Sequence, residues 1–166
     1  MSGIRLLGVD KLRIFKIFIL VMFFLISLTI DVNAQTPLTS CGTINTPGSY
    51  ILVNNVSSSG SCFTINSSNV NLNCQGRRIV YALSQAGYGI TTSSINNTLL
   101  SNVVIKNCNI DQGNTSQLVA YTIGIGLVLA KDSVVENNGI YNLFFNSPGS
   151  VGILINSSKN NIIRYN

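Results

Sequence analysis

Gly124-Ile125-Gly126-Leu127 runs on to Ser133-Val134-Val135-Glu136-Asn137-Asn138. Twenty-eight positions later, without a gap, Gly152-Ile153-Leu154-Ile155 runs on to Asn161-Ile162-Ile163-Arg164-Tyr165-Asn166. Gly124 matches Gly152, Ile125 matches Ile153, Lys131 matches Lys159 and Asn138 matches Asn166, with apolar residues coinciding at 127/155, 134/162 and 135/163. Upstream, Gly89-Ile90 and Asn102-Val103-Val104-Ile105-Lys106-Asn107-Cys108-Asn109-Ile110 form an earlier copy with about five extra residues between its halves. Phe63-Thr64-Ile65 with Asn69-Val70-Asn71-Leu72-Asn73-Cys74 is a looser fourth. Anchored on Leu72, Ile105, Val135 and Ile163, the spacings are 33, 30 and 28. Fixed strand cores with variable loops produce that drift, and periods of this size mark stacked repeats.

The repeating unit is a strand. Its apolar stretches are short and β-branched (Val103-Val104-Ile105, Val134-Val135, Ile162-Ile163), Asn, Ser and Gly punctuate them, and no window holds a helical 3.6-residue period. Helical repeats are therefore excluded. Propeller blades run longer and carry aromatic signatures, and leucine-rich repeats carry a tighter leucine consensus. The expected fold is all-β: a single-stranded parallel β-helix of four to five rungs, with equal positions stacked at about 4.8 Å.

That register makes columns. Leu72, Ile105, Val135 and Ile163 are expected to line one side of the core, and Ile90, Ile125 and Ile153 another. Asn107, Asn137, Asn138 and Asn166 are expected at corners, where asparagine tolerates left-handed backbone and its amide bonds the neighbouring copy. Lys106, Glu136 and Arg164 fall in one outward column whose alternating sign favours the parallel register. Lys131 and Lys159 stack like on like, which makes them weak candidates for ligand contact.

Composition agrees with columns. Of 166 residues, 22 are Asn, 20 Ser and 11 Thr; ten are Lys or Arg, five Asp or Glu, and none is His or Trp. Without imidazole, most zinc enzymes and serine-hydrolase triads are excluded. No cofactor is expected.

Lys11, Arg13 and Lys16 precede an apolar run from Ile17 to Ile30, and Val32-Asn33-Ala34 supplies small residues for a signal peptidase. Residues 1–34 read as a signal peptide, the alternative being an uncleaved anchor. The 14-residue apolar run is short against the ~20 residues of a spanning helix. Residues 35–166 then carry six basic side chains (Arg77, Arg78, Lys106, Lys131, Lys159, Arg164) and three acidic ones (Asp111, Asp132, Glu136), a net +3. A nucleic-acid groove needs clustered cations and stacking aromatics, so no nucleic-acid partner is expected. Arg77-Arg78 reads as a solvated turn. Membrane contact is expected only through the N-terminal segment, if it is retained. The localisation that follows is secreted, extracellular or cell-surface.

Cys41, Cys62, Cys74 and Cys108 all follow the signal, and four cysteines allow three pairings. Cys41 with Cys62 is preferred because it staples the opening segment, which leaves Cys74 with Cys108. Spacings without a CxxC pair argue against a metal site.

The chain resembles the right-handed parallel β-helix repeat proteins, which include pectate-lyase-like folds, NosD-like proteins and archaeal-type surface proteins. The resemblance rests on Cys41-Gly42-Thr43-Ile44, Pro47-Gly48-Ser49-Tyr50-Ile51-Leu52, Cys62-Phe63-Thr64-Ile65 and Asn69-Val70-Asn71-Leu72-Asn73-Cys74-Gln75-Gly76-Arg77-Arg78-Ile79. In that last segment Asn73 and Gln75 stand where the group commonly has Asp and Asn. The resemblance implies the handedness and an exported protein. It carries no catalytic residue across: lyases of the group use clustered carboxylates with an Arg or Lys base, and hydrolases use groups of Asp. Here Asp132 and Glu136 flank one strand, and Asp111 sits in an expected Asp111-Gln112-Gly113-Asn114 turn.

The expectation is a non-catalytic exported or cell-surface scaffold, adhesive or carbohydrate-binding, with a polysaccharide or cell-surface glycan as partner. The alternative is the N-terminal fragment of a β-helical polysaccharide lyase or glycoside hydrolase. A NosD-like metal-delivery role is disfavoured by the absence of His. The chain stops inside a copy with no cap, so truncation at the C-terminal end is expected. Asn55, Asn66, Asn96, Asn114 and Asn156 head Asn-X-Ser/Thr triplets and are the candidate N-glycosylation positions. The six tyrosines are candidates to stack on sugars.

Overall fold

The structure is a computed structural model that describes residues 15–16, 34–113, 121–141 and 149–166. The chain divides into Met1–Ala34 and Gln35–Asn166. The expected signal segment falls almost wholly outside the described residues, and the second unit is described here by itself.

It is all-β. In chain order the strands are β1 (Gln35–Leu38), β2 (Gly42–Ile44), β3 (Gly48–Leu52), β4 (Val56–Ser57), β5 (Phe63–Ile65) and β6 (Val70–Asn73). Next come β7 (Arg78–Tyr81), β8 (Tyr88–Thr92), β9 (Leu100–Ser101), β10 (Val104–Lys106), β11 (Asn109–Gln112) and β12 (Ile123–Val128). The last are β13 (Ala130–Lys131), β14 (Val134–Glu136), β15 (Gly139–Tyr141), β16 (Val151–Asn156) and β17 (Ile162–Arg164). They form a six-stranded sheet (β1-β3-β6-β10-β14-β17), a four-stranded sheet (β4-β7-β11-β15), a five-stranded sheet (β2-β5-β8-β12-β16) and a small pair (β9-β13). Neighbours in these sheets run parallel. From β3 onward the chain visits the six-, four- and five-stranded sheets in that order and repeats the circuit. Sequence neighbours are therefore never strand partners; each strand pairs with its counterpart one circuit away.

Register places Leu72 beside Ile105, Ile105 beside Val135, and Val135 beside Ile163. Ile90, Ile125 and Ile153 are likewise successive partners. Leu72, Ile105, Val135, Ile90 and Ile125 are fully buried, while Ile153 and Ile163 pack against the core partly buried. One inward residue per three-residue strand suffices, as in β10 and β14, because the same position in the next circuit covers it. The six-stranded sheet begins earlier than the sequence anchors suggest: Thr36 pairs with Tyr50 and Tyr50 with Leu72, spacings of only 14 and 22 residues. These opening circuits are shorter than the later copies and so fall outside their period.

The corners explain the asparagines. Asn107, Asn137 and Tyr165, directly after β10, β14 and β17, have φ of 55°, 54° and 56°. A second column, Asn69, Asn102, Asp132 and Asn160, precedes the same sheet with φ between 51° and 57°. Left-handed backbone is least costly for Asn and Asp among residues bearing a Cβ. In the second column Asn102 Nδ2 donates to Asn69 Oδ1 at 3.0 Å, and Asn160 Nδ2 to Asp132 Oδ1 at 3.3 Å.

Asn107 and Asn137 do not bond to each other; Asn107 Nδ2 turns to Asn73 Oδ1 at 3.0 Å. The continuous amide ladder lies one residue on, inside the corner. Asn138, nearly fully buried, accepts from Cys108 N at 3.0 Å and donates to Ile105 O at 3.1 Å. Asn166 repeats this one circuit later, accepting from Asn138 N and donating to Val135 O, each at 3.0 Å. The side-chain oxygens thus satisfy the corner amides of Cys108 and Asn138, and the Nδ2 groups add a donor to strand carbonyls.

Disulfides join Cys41 to Cys62 and Cys74 to Cys108, the preferred pairing. Their Cα–Cα distances, 4.6 and 4.7 Å, equal the spacing of adjacent parallel strands. Each bridge ties one circuit to the next, and Cys108 occupies the place that Asn138 and Asn166 take later.

Glycine repeats for a packing reason. A Cβ on Gly124 would lie 2.6 Å from Gly152 O and 2.8 Å from Ile140 Cγ2. On Gly89 it would lie 2.6 Å from both Gly124 O and Ile110 Cγ2. The Gly-Ile signature records where an isoleucine of the four-stranded sheet presses on the five-stranded one.

Candidate functional site

No charged side chain takes part in the inner columns, so candidate chemistry lies on the outer faces. On the six-stranded sheet Lys106, Glu136 and Arg164 are successive partners. Arg164 donates to Glu136 Oε2 through Nε at 2.8 Å and Nη2 at 2.6 Å, and its guanidinium stands 5.8 Å from the Tyr165 ring. The column is an ion pair with Lys106 adjoining it. Lys131 and Lys159 form a parallel bridge, and neither is ion-paired among the described residues. Their main chains are adjacent at one corner.

Arg78 and Asp111 correct the sequence reading. Arg78 opens β7 rather than sitting in a turn, and Asp111 lies within β11 rather than after it. Arg78 Nε donates to Asp111 Oδ2 at 2.6 Å across 33 residues of sequence. The Asp111 side chain is only 9% exposed, whereas that of Arg78 is 55% exposed. Strand alternation puts both opposite the core residues Ile79 and Ile110, on the outer face of the four-stranded sheet. The sequence held the signal, since the Arg78–Asn109 register follows from Ile79 facing Ile110. The inserted Gln75-Gly76 hid it.

The three carboxylates of Gln35–Asn166 are thus dispersed. Asp111 meets Arg78 on the four-stranded sheet, Glu136 meets Arg164 on the six-stranded sheet, and Asp132 meets Asn160 at a corner. Among the described residues no group of three or more His, Cys, Asp or Glu could hold a metal ion.

The tyrosines separate by burial. Tyr50 and Tyr81 belong to the core and cannot stack on a ligand. Burial pushes the Tyr81 hydroxyl up to about 12, and the neighbouring Thr122 hydroxyl, outside full hydrogen-bonding geometry, offsets part of the rise. Tyr88 lies over Gly126, whose Cβ would come within 2.9 Å of the ring. Tyr121, Tyr141 and Tyr165 are exposed. On the outer face of the five-stranded sheet, Thr43, Thr64 and Thr91 stack as successive partners.

Asn55, Asn96 and Asn156 are exposed, and Asn55 Oδ1 accepts from Arg78 N at 2.9 Å. Asn66 is half-buried with Nδ2 donating to Asn45 Oδ1 at 3.2 Å, so a glycan there would displace a ladder bond. Asn114 lies outside the described residues.

Compared with models of protein families, with curated proteins and with solved structures, the chain finds no match.

Proposed function

We propose that Gln35–Asn166 is one right-handed parallel β-helical solenoid, exported behind residues 1–34, and that it works as a non-catalytic surface scaffold displaying columns of short polar side chains to glycans. The observation that carries this reading is the disposition of its carboxylates. Paired-carboxylate glycoside chemistry needs two such groups about 5–9.5 Å apart on one face. Here Asp111 lies on the four-stranded sheet, Glu136 on the six-stranded sheet and Asp132 at the corner before it, and each is already bonded to a partner side chain. Parallel pairing of equal positions circuit after circuit supports the solenoid, and the outward Thr43 and Thr64 with the exposed corner residues Asn69, Asn102 and Asn160 suit contact with an extended polymer. The two disulfides fit an oxidising destination.

The test uses the full-length exported protein in two assays, a glycan array and a reducing-end and unsaturated-uronate release assay on polysaccharides. Binding without product is the expected result, and time-dependent product formation overturns it in favour of a lyase or hydrolase. Mass spectrometry of the exported protein should find Gln35 at its N-terminus.

A further inference from the structure

The outer face of the four-stranded sheet carries a group that no outward column repeats. Two parallel tracks run across it: Arg78, Asn109 and Gly139 are successive partners, as are Val80, Asp111 and Tyr141. Arg78 leaves the first track to reach Asp111 in the second through Nε. Tyr141 leaves the second to bring its phenol end over Gly139 in the first, for a Cβ on Gly139 would meet the hydroxyl first and ring atoms Cε2 and Cζ at 2.5 Å. The absence of a side chain at Gly139 leaves room for the phenol end of Tyr141. Guanidinium and ring therefore bracket the strip formed by Asn109 and Asp111, from strands two apart, about 10 Å by interstrand spacing.

Each group has one side committed and one side open. Asp111 fixes the Nε edge of Arg78, and among the described residues nothing bonds the Nη1–Nη2 edge of a side chain that is half exposed. That edge matches a planar or trigonal oxyanion in bidentate fashion. Tyr141 is 51% exposed, so its ring offers a free face. Arg77, Arg78 and Asp111 together leave a net charge of +1, and Arg77 is exposed beside them.

We infer that this face is a binding subsite for an anionic saccharide: one sugar ring stacks on Tyr141, and a carboxylate or sulfate on a linked ring takes the open edge of Arg78. Asp111 is a positioning residue, too enclosed to meet the ligand itself. The inference rests on the glycan-binding reading above and adds to it a place and a ligand charge.

Binding of the full-length protein is measured by calorimetry against three probes of matched length: a carboxylated oligosaccharide, a sulfated one and their neutral counterpart. The wild type should prefer at least one anionic probe over the neutral one by about tenfold, the contribution of one charge-assisted contact. Tyr141→Ala should lose about tenfold while Tyr141→Phe stays within about twofold, because the ring and not the hydroxyl does the stacking. Arg78→Lys keeps the charge opposite Asp111, and with it the fold, but should abolish the anionic preference because an ammonium has no fork. Lys106→Gln, on the six-stranded sheet, should change nothing. The ratio of carboxylated to sulfated binding names the anion. If anionic probes bind and both Tyr141→Ala and Arg78→Lys leave affinity intact, the subsite is wrong while glycan binding stands. Equal binding of the neutral probe also overturns it, and no binding to any probe overturns both readings.

Discussion

Replacing Asn138 by alanine tests whether the inner amide ladder, rather than the left-handed corner beside it, holds successive circuits together. Asn138 is 3% exposed. Its side chain satisfies Cys108 N and Ile105 O, both main-chain groups of buried residues, and also donates to Asn166 Oδ1 at 2.9 Å. Alanine leaves the Cys108 amide without a partner and takes from Ile105 O, which β10 also pairs with β14, its second donor, so the expected cost is about 2 kcal/mol before any cavity term. Asn138→Asp at neutral pH should be worse, because a carboxylate still accepts from Cys108 N but faces Ile105 O and Asn166 Oδ1 without a proton to give. The control is the preceding residue. Asn137 is exposed with φ of 54°, so Asn137→Ala should cost only about 1 kcal/mol of left-handed strain. Asn137→Gly should cost almost nothing. Urea unfolding of the oxidised protein, followed by circular dichroism, gives the differences, and hydrogen exchange at the Cys108 amide gives the local one. If Asn138→Ala falls within 0.5 kcal/mol of Asn137→Ala by this reasoning, and the Cys108 amide remains protected, the ladder is not what satisfies the corner.

Gly124→Ala should destabilise by about 1–3 kcal/mol, because the new methyl meets the Gly152 carbonyl oxygen and not a movable side chain; Gly76→Ala, with open space around it but φ of 74°, should show strain alone in the same melt. Lys159→Glu turns a like-charge neighbour of Lys131 into an opposite one and should raise the urea midpoint at low salt by the equivalent of about 0.5–1 kcal/mol, a gain that disappears in 1 M salt. For Tyr81 the folded state holds the phenolic proton up to about 12 while the unfolded chain releases it near 10, so stability is unaffected below pH 10 and falls as pH climbs from 10 to 12, by on the order of 3 kcal/mol. Tyr81→Phe should remove that loss, seen by comparing urea midpoints of the two proteins at pH 8 and pH 11.

Where copies align without gaps, equal positions in the sequence are strand partners in space: Ile125 with Ile153, Val135 with Ile163, Glu136 with Arg164. The reason is physical, since parallel stacking makes sequence periodicity and spatial register the same quantity. Legibility fails where the period breaks. The first two circuits, only 14 and 22 residues long, offered too little repetition to align. The two extra residues at Gln75-Gly76 moved Arg78 out of register with Asn109 and concealed the contact with Asp111. The corner column Asn69, Asn102, Asp132 and Asn160 was legible in principle. Three of its members stand five residues before Asn107, Asn137 and Tyr165, the fixed length of a strand with a left-handed residue at each end. Tyr141 was visible as a tyrosine, but its lean across Gly139 was not, because that contact depends on the side-chain direction and not on the repeat.

Scarcity of charge reads differently once the columns are known. In a parallel stack every outward position meets its own counterpart about 4.8 Å away in the next circuit, so a repeated Lys or Glu meets itself. The Coulomb cost is near 0.9 kcal/mol per exposed neighbour in water and larger wherever solvent is excluded. An amide escapes this, since it donates to one neighbour and accepts from the other, as Asn138 does between Cys108 and Asn166. Hydroxyls have the same double capacity, which suits the Thr43, Thr64 and Thr91 column. Charges persist where the neighbour has opposite sign, as Glu136 beneath Arg164, or where they reach diagonally, as Arg78 to Asp111. Few ionisable residues would therefore be found on such a stack whether or not it catalysed a reaction, and composition alone does not separate scaffold from enzyme. Placement bears on the question more directly: Asp111, Glu136 and Asp132 are each bonded to a partner side chain, two on different sheets and one at a corner.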